Sequence, residues 1–204
     1  MKERCEQTME FMENKTQTGE TIFPLPTPEQ TEWADAEVGV IIHFDLPSIC
    51  GHDRDDWPDP PPSPAIFNPQ RLDTDQWLKA AHDLGAKYAV LVAKHCSGFS
   101  LWPTAAHGYS VKSSPWKGGK GDVVADFIAS CEKYGIRPGL YYSVAFNDYL
   151  NVGHPGLVRS GDREKQKEYN NVVIQQLTEL WTRYGKLFEI WFDGGCLPVE
   201  QGGP

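Results

Sequence analysis

The sequence has no long apolar run: no stretch approaches the roughly 18 residues a membrane helix requires. It also lacks an excess of positive charge. Nineteen Lys and Arg face 28 Asp and Glu, giving a net charge of −9 and a pI near 5.1. Nucleic acid and anionic membrane both need a basic surface, so neither is expected as a partner. No apolar h-region follows Met1: the opening MKERCEQTMEFMENKTQTGE is polar and charged, and no signal peptide is visible. The five cysteines have no CxxC spacing and are odd in number. This argues against a structural zinc site and a full disulfide framework, and predicts free thiols. No GxGxxG follows the first apolar stretch, where His43-Phe44-Asp45-Leu46-Pro47 stands instead. A dinucleotide fold is thereby disfavoured.

What is present is 40% hydrophobic and 12% aromatic over 204 residues, enough for one globular domain or part of a larger one. Residues 1–22 show little periodicity and read as a flexible leader. The proline-rich Phe23–Pro28 leads into the body of the chain, residues 23–204. Four short apolar runs then recur about every fifty residues: Val38–Phe44, Tyr88–His95, Pro138–Val144 and Leu187–Asp193. Their continuous apolar character predicts strands buried on both faces, as in a parallel sheet. Helical patterns lie between them. Asp73 and Gln76 form a capping-box pattern, after which Trp77, Ala81 and Leu84 share a face up to Gly85. Val124, Phe127, Ile128, Cys131 and Tyr134 form a second stripe ending at Gly135. Tyr169, Val173, Leu177, Leu180 and Tyr184 form a third, ending at Gly185. A repeated strand–helix unit means α/β, either doubly wound or a (β/α)8 barrel.

The strand ends favour the barrel, whose chemistry gathers at the C-terminal ends of its strands. These ends carry His43, Lys94-His95, Tyr141-Tyr142-Ser143 and Trp191-Phe192-Asp193. A carboxylate closing a buried strand is costly unless paired or used. Alternation points Trp191 and Asp193 the same way, so His43, His95, a tyrosine and Asp193 can converge at one mouth. The loops add Asp56-Trp57 and Trp102; indole beside polar groups suits sugar, and core packing is the competing reading for Trp102.

Together these residues resemble glycoside hydrolase family 29, the α-L-fucosidases. The resemblance rests on VGVIIHF, FNPQRLDTDQWLKAAHDLGAKYAVLVAKHCSGFSLWP, YSVKSSPWKGGKGDVVADF, GLYYS and EIWFDGG, in family order over about residues 30–196. It implies a retaining glycosidase on a (β/α)8 TIM-barrel-like fold with no cofactor and no metal, acting on a fucosylated glycan or glycoconjugate. By the same resemblance Asp193 is the nucleophile, and His43, Asp56, Trp57, His95, Tyr142 and Trp191 bind substrate. Family members are usually lysosomal, secreted or periplasmic; the compartment of this chain is left open.

The sequence departs from the family pattern in two places. Cys96 and Ser97 replace the second histidine and the aspartate of the common KHHDGF. A thiol cannot supply the same hydrogen bonds to sugar hydroxyls. Eleven residues follow Asp193, positions 194–204, whereas the family's acid/base glutamate lies well beyond the nucleophile. The expectation is therefore a barrel truncated to about its first four βα units, with the acid/base beyond residue 204, weak or absent activity, and open edges available for self-association. The alternative is a non-catalytic half-barrel that binds sugar or pairs with another chain. A third reading, a metal hydrolase using His43, His95 and Asp193, is disfavoured by Ile41 where such barrels carry a second histidine.

Overall fold

The structure is a computed structural model that describes residues 14–15, 21–22, 25–51, 58–194 and 197–202. It divides into two compact units, residues 1–37 and 38–204. In the first, Asn14–Lys15 pairs antiparallel with Thr21–Ile22. Helix α1 spans Pro28–Asp35. Thr27 caps it reciprocally: Gln30 N–H donates to Thr27 Oγ1 at 3.3 Å, and Thr27 N–H donates to Gln30 Oε1 at 2.8 Å. The last proline of the lead-in is the first helical residue, where its missing N–H costs nothing. The division falls between residues 37 and 38.

The second unit holds a four-stranded parallel sheet: β1 (Gly39–Ile42), β2 (Tyr88–Lys94), β3 (Arg137–Ser143) and β4 (Glu189–Asp193). Strands lie side by side in chain order, β1-β2-β3-β4, all parallel. The order never reverses, so there is no switch point of the doubly wound kind. Helices α2 (Leu46–Cys50) and α3 (Thr74–Leu84) connect β1 to β2, α4 (Val123–Tyr134) connects β2 to β3, and α5 (Arg163–Arg183) precedes β4.

Asp side chains start three of these helices. Asp73 accepts from Gln76 N–H at 3.3 Å, Asp122 from Ala125 N–H at 2.9 Å and Asp162 from Glu164 N–H at 2.9 Å. Gly85 and Gly135 close α3 and α4 with left-handed backbone, φ 88° and 65°. The buried face of α3 is Thr74, Leu78 and Ala81, with Trp77 at its margin and Leu84 exposed. This corrects the expected Trp77–Ala81–Leu84 stripe. Spacings of four and three residues follow the helical repeat, and Thr74 joins α4 through Ser130 Oγ at 2.8 Å.

The helices cover one face of the sheet. Ala89, Leu91, Ala93, Leu140 and Tyr142 meet Leu78, Phe127 and Leu180 in the main core. On the other face Val90, Val92 and Tyr141 form a small cluster of their own. Among the described residues, Cys50, Cys96 and Cys131 form no disulfide. Among the described residues no helix is long and apolar enough to cross a membrane.

Candidate active site

The site is set by the register at the C-terminal ends of the strands. Tyr141 pairs with Trp191 and Ser143 with Asp193, so Tyr141, Trp191 and Asp193 share the face opposite the helices. Tyr141 donates its phenolic hydrogen to Asp193 Oδ2. The Tyr141 and Trp191 rings meet edge to face, centroids 5.8 Å apart.

His95 reaches the same face through an irregularity. Strict alternation from Val90 and Val92 would place Lys94 there and turn His95 into the helical core. Instead the ladder slips: Val92 pairs with Tyr141 and Lys94 with Tyr142, leaving Ala93 as the extra residue. Such a bulge re-aims everything after it. Lys94 is driven into the core, Nζ 5.0 Å from the centre of the Tyr142 ring. There it donates to Ser143 O and Phe146 O, each at 2.6 Å. His95 swings to the site, its ring 5.7 Å from Tyr141 and 4.5 Å from His43.

Environment separates the two histidines. His43 is half exposed, its Nε2 3.4 Å from Asp45 Oδ2. That pairing raises its pKa against the opposing effect of partial burial. The contact is long for a hydrogen bond, and Asp45 Oδ2 is otherwise buried without a partner, so it is an ion pair more than a formed bond. His95 is more enclosed, and burial followed by the neighbouring His43 lowers its pKa. Of the two, His43 is therefore the more readily protonated and His95 the more readily neutral. Burial and the bond to Asp193 push the Tyr141 phenol far above its ordinary range, so it remains a donor to the carboxylate. Lys94, fully buried without a carboxylate partner, is lowered to about 7 by desolvation.

The structure thus brings His43, His95, Trp191 and Asp193 to one face. It does not bring Tyr142. That ring is buried on the helical side, its hydroxyl donating to Gln176 Oε1 at 2.7 Å. The tyrosine against Asp193 is its neighbour Tyr141, which the parity of the β3–β4 pairing identifies. Asp56 and Trp57 lie outside the described residues. Trp102 is fully buried, Nε1 donating to Glu179 Oε2 at 2.8 Å. Its role is core packing, not sugar stacking. Ser97 closes a turn by accepting from Phe99 N–H at 3.2 Å.

Among the described residues, His43, Asp45 and His95 place potential metal-ligand atoms within 4.8 Å of one another. Asp193 is not in that group. Protonation of His43, which Asp45 favours, competes with a metal for the same lone pair.

A parallel α/β sheet with carboxylate, phenol, indole and paired imidazoles at its strand ends belongs among the glycoside hydrolases. The profile described as alpha-L-fucosidase matches residues 63–200, and the chain belongs to that family, glycoside hydrolase family 29. It is 37% identical over 173 residues to α-L-fucosidase 1 of Arabidopsis thaliana, covering 85% of this chain and 31% of that one. A solved Bacteroides thetaiotaomicron protein, provisionally named α-L-fucosidase, superposes with TM-score 0.81 at 40% identity, over 89% of this chain and 42% of that one. A glycoside hydrolase 29 member from a rumen bacterium gives TM-score 0.69 at 37% identity, over 84% and 28%. The chain spans about a third of the length of the curated relatives it matches.

Proposed function

We propose that this chain is the nucleophile-bearing part of a retaining α-L-fucosidase that releases L-fucose from glycans or glycoconjugates. Its four strands are read as the first half of a (β/α)8 barrel, a reading supported by their unreversed parallel order. The observation that carries the proposal is the carboxylate of Asp193 at the end of β4, held by Tyr141 and facing the histidine pair. Asp193 attacks the anomeric carbon and forms the glycosyl-enzyme; water later releases the sugar. Tyr141, donating its hydrogen to the carboxylate, fixes the orientation of Asp193. His43 donates a ring N–H to a sugar hydroxyl, and His95, when neutral, offers one donor and one acceptor. Trp191 gives the sugar an apolar wall. Retention needs a second carboxyl about 5–5.5 Å from the first to protonate the leaving oxygen, and we place it outside residues 1–204.

A second reading is favoured by the apolar side chains bared along β4, Ile190, Trp191 and Phe192. There the chain is a half-barrel that binds sugar without turnover or pairs with another chain. The test is release of the aryl group from an aryl α-L-fucoside by the purified, folded chain and by Asp193→Ala. Turnover present in the first and abolished in the second supports catalysis through Asp193. No turnover, with a fucose-configured iminosugar still bound, selects the second reading. A folded chain that neither turns over nor binds removes catalysis and sugar binding and leaves pairing with another chain.

A further inference from the structure

A second concavity opens at the same end of the sheet, away from Asp193. It holds about 440 Å³ and is lined by Asp59, Pro61, Asp148, Tyr149, Asn151 and Arg159 among others, within the range of small-molecule sites. Its wall is laced to the active-site loops. Asp148 N–H donates to Cys96 O at 2.8 Å and Tyr149 N–H to Ser97 O at 3.3 Å, one and two residues past His95. At the other end of the same loop Val144 N–H reaches Asp193 O at 3.4 Å. Four residue steps separate Val144 from Asp148, a span of at most about 14 Å of chain. The pocket wall is thus tied through backbone to the strand ends that carry Asp193 and His95.

The lining has the chemistry for a sugar. Tyr149 stacks parallel on the buried Tyr109, centroids 4.4 Å apart and planes within 3°. One face of the ring is thus fixed from behind while the residue stays 40% exposed. A pyranose presents C–H bonds of slight positive charge, which suit the negative face of an aromatic ring. Beside the ring Arg159 Nη2 donates to Asp148 Oδ1 at 2.8 Å and Nη1 to Asn151 Oδ1 at 3.4 Å. Gly153 leaves the arm its place: a Cβ there would stand 3.2 Å from Arg159 Nε. Remaining guanidinium donors and carboxylate acceptors sit side by side, matching hydroxyls that both donate and accept. Two carboxylates, Asp59 and Asp148, against one guanidinium leave the pocket negative, which disfavours sialylated or sulfated sugars.

We infer that this pocket binds a neutral pyranose at a place apart from Asp193. The test uses saturation-transfer NMR on the purified, folded chain with lactose as probe, beside 3′-sialyllactose and a fucose-configured iminosugar. Lactose should receive saturation from the wild type, from Asp193→Asn and from Tyr149→Phe. It should bind about five- to tenfold more weakly to Tyr149→Ala and to Arg159→Ala, and sialyllactose should bind less well than lactose. The inference is overturned if lactose is ignored by the folded wild type, if both alanine variants bind it undiminished, or if sialyllactose binds better. Iminosugar binding without lactose binding removes this pocket alone. Lactose binding without iminosugar binding keeps the pocket as a sugar site and removes the fucosidase reading.

Discussion

β3 and β4 lie side by side in the same sheet and carry similar apolar sequences, GLYYS and EIWFD, yet their surroundings differ. Leu140, Tyr141 and Tyr142 are 2–4% exposed, whereas Ile190, Trp191 and Phe192 are 43–44% exposed. β3 has a strand on each side; β4 pairs with β3 alone among the described strands. The two therefore do different work. β3 is where burial stabilises the sheet. β4 is a chemically furnished edge, with its carboxylate anchored by one phenol and its apolar side chains only half covered.

The sharpest way to break this comparison is a matched pair of truncations. Leu140→Ala should destabilise by about 2–5 kcal/mol, and Ile190→Ala by under about 1 kcal/mol because it is already half in water. Equal losses by urea denaturation would mean that β4 is covered in solution. Next, Tyr141→Phe removes a hydrogen bond to a charged group and should weaken iminosugar binding by about 1.5–3 kcal/mol. Tyr142→Phe should leave binding unchanged and cost about 1 kcal/mol of stability through Gln176. The reverse pattern would reassign the two tyrosines. Trp102→Phe leaves Glu179 with Ala105 N–H and Arg183 and should cost about 1–3 kcal/mol without touching binding.

The smallest expected effect concerns the histidines. His43 is raised in the folded chain by Asp45. Its pairing therefore stabilises fully below the unfolded value, about 6.5, and is lost as pH rises through the folded value. Asp45→Asn should lower the NMR titration midpoint of His43, and its stability should fall relative to wild type between pH 8 and pH 5. The change should be slight, because half-exposed pairs are screened. An unmoved midpoint would dissolve the pair.

Much of this was legible in the chain. Four apolar runs became four strands trimmed at their ends, and Asp73, Gly85 and Gly135 marked helix limits as their chemistry requires. Asp193 drew notice because a charge closes an apolar run. The rest was hidden for physical reasons. Two adjacent tyrosines look alike in sequence, and only register decides which one faces the carboxylate. Trp102 reads as a sugar platform until Glu179, 77 residues away, is seen to satisfy its N–H. Helix α1 carried its capping box in plain view, Thr27 to Gln30, within a segment whose prolines argued for irregular chain.

The extra residue at Ala93 makes the site a matter of parity. Straighten the strand with every residue kept and the side chains beyond Ala93 change sides: an ammonium would enter the sugar's place, and an imidazole would be sealed into the core. Remove Ala93 instead, and plain alternation from Val92 still turns Lys94 inward and His95 to the site. The site thus hangs on the ladder absorbing an odd step from Val92 to His95, a condition of count rather than of kind.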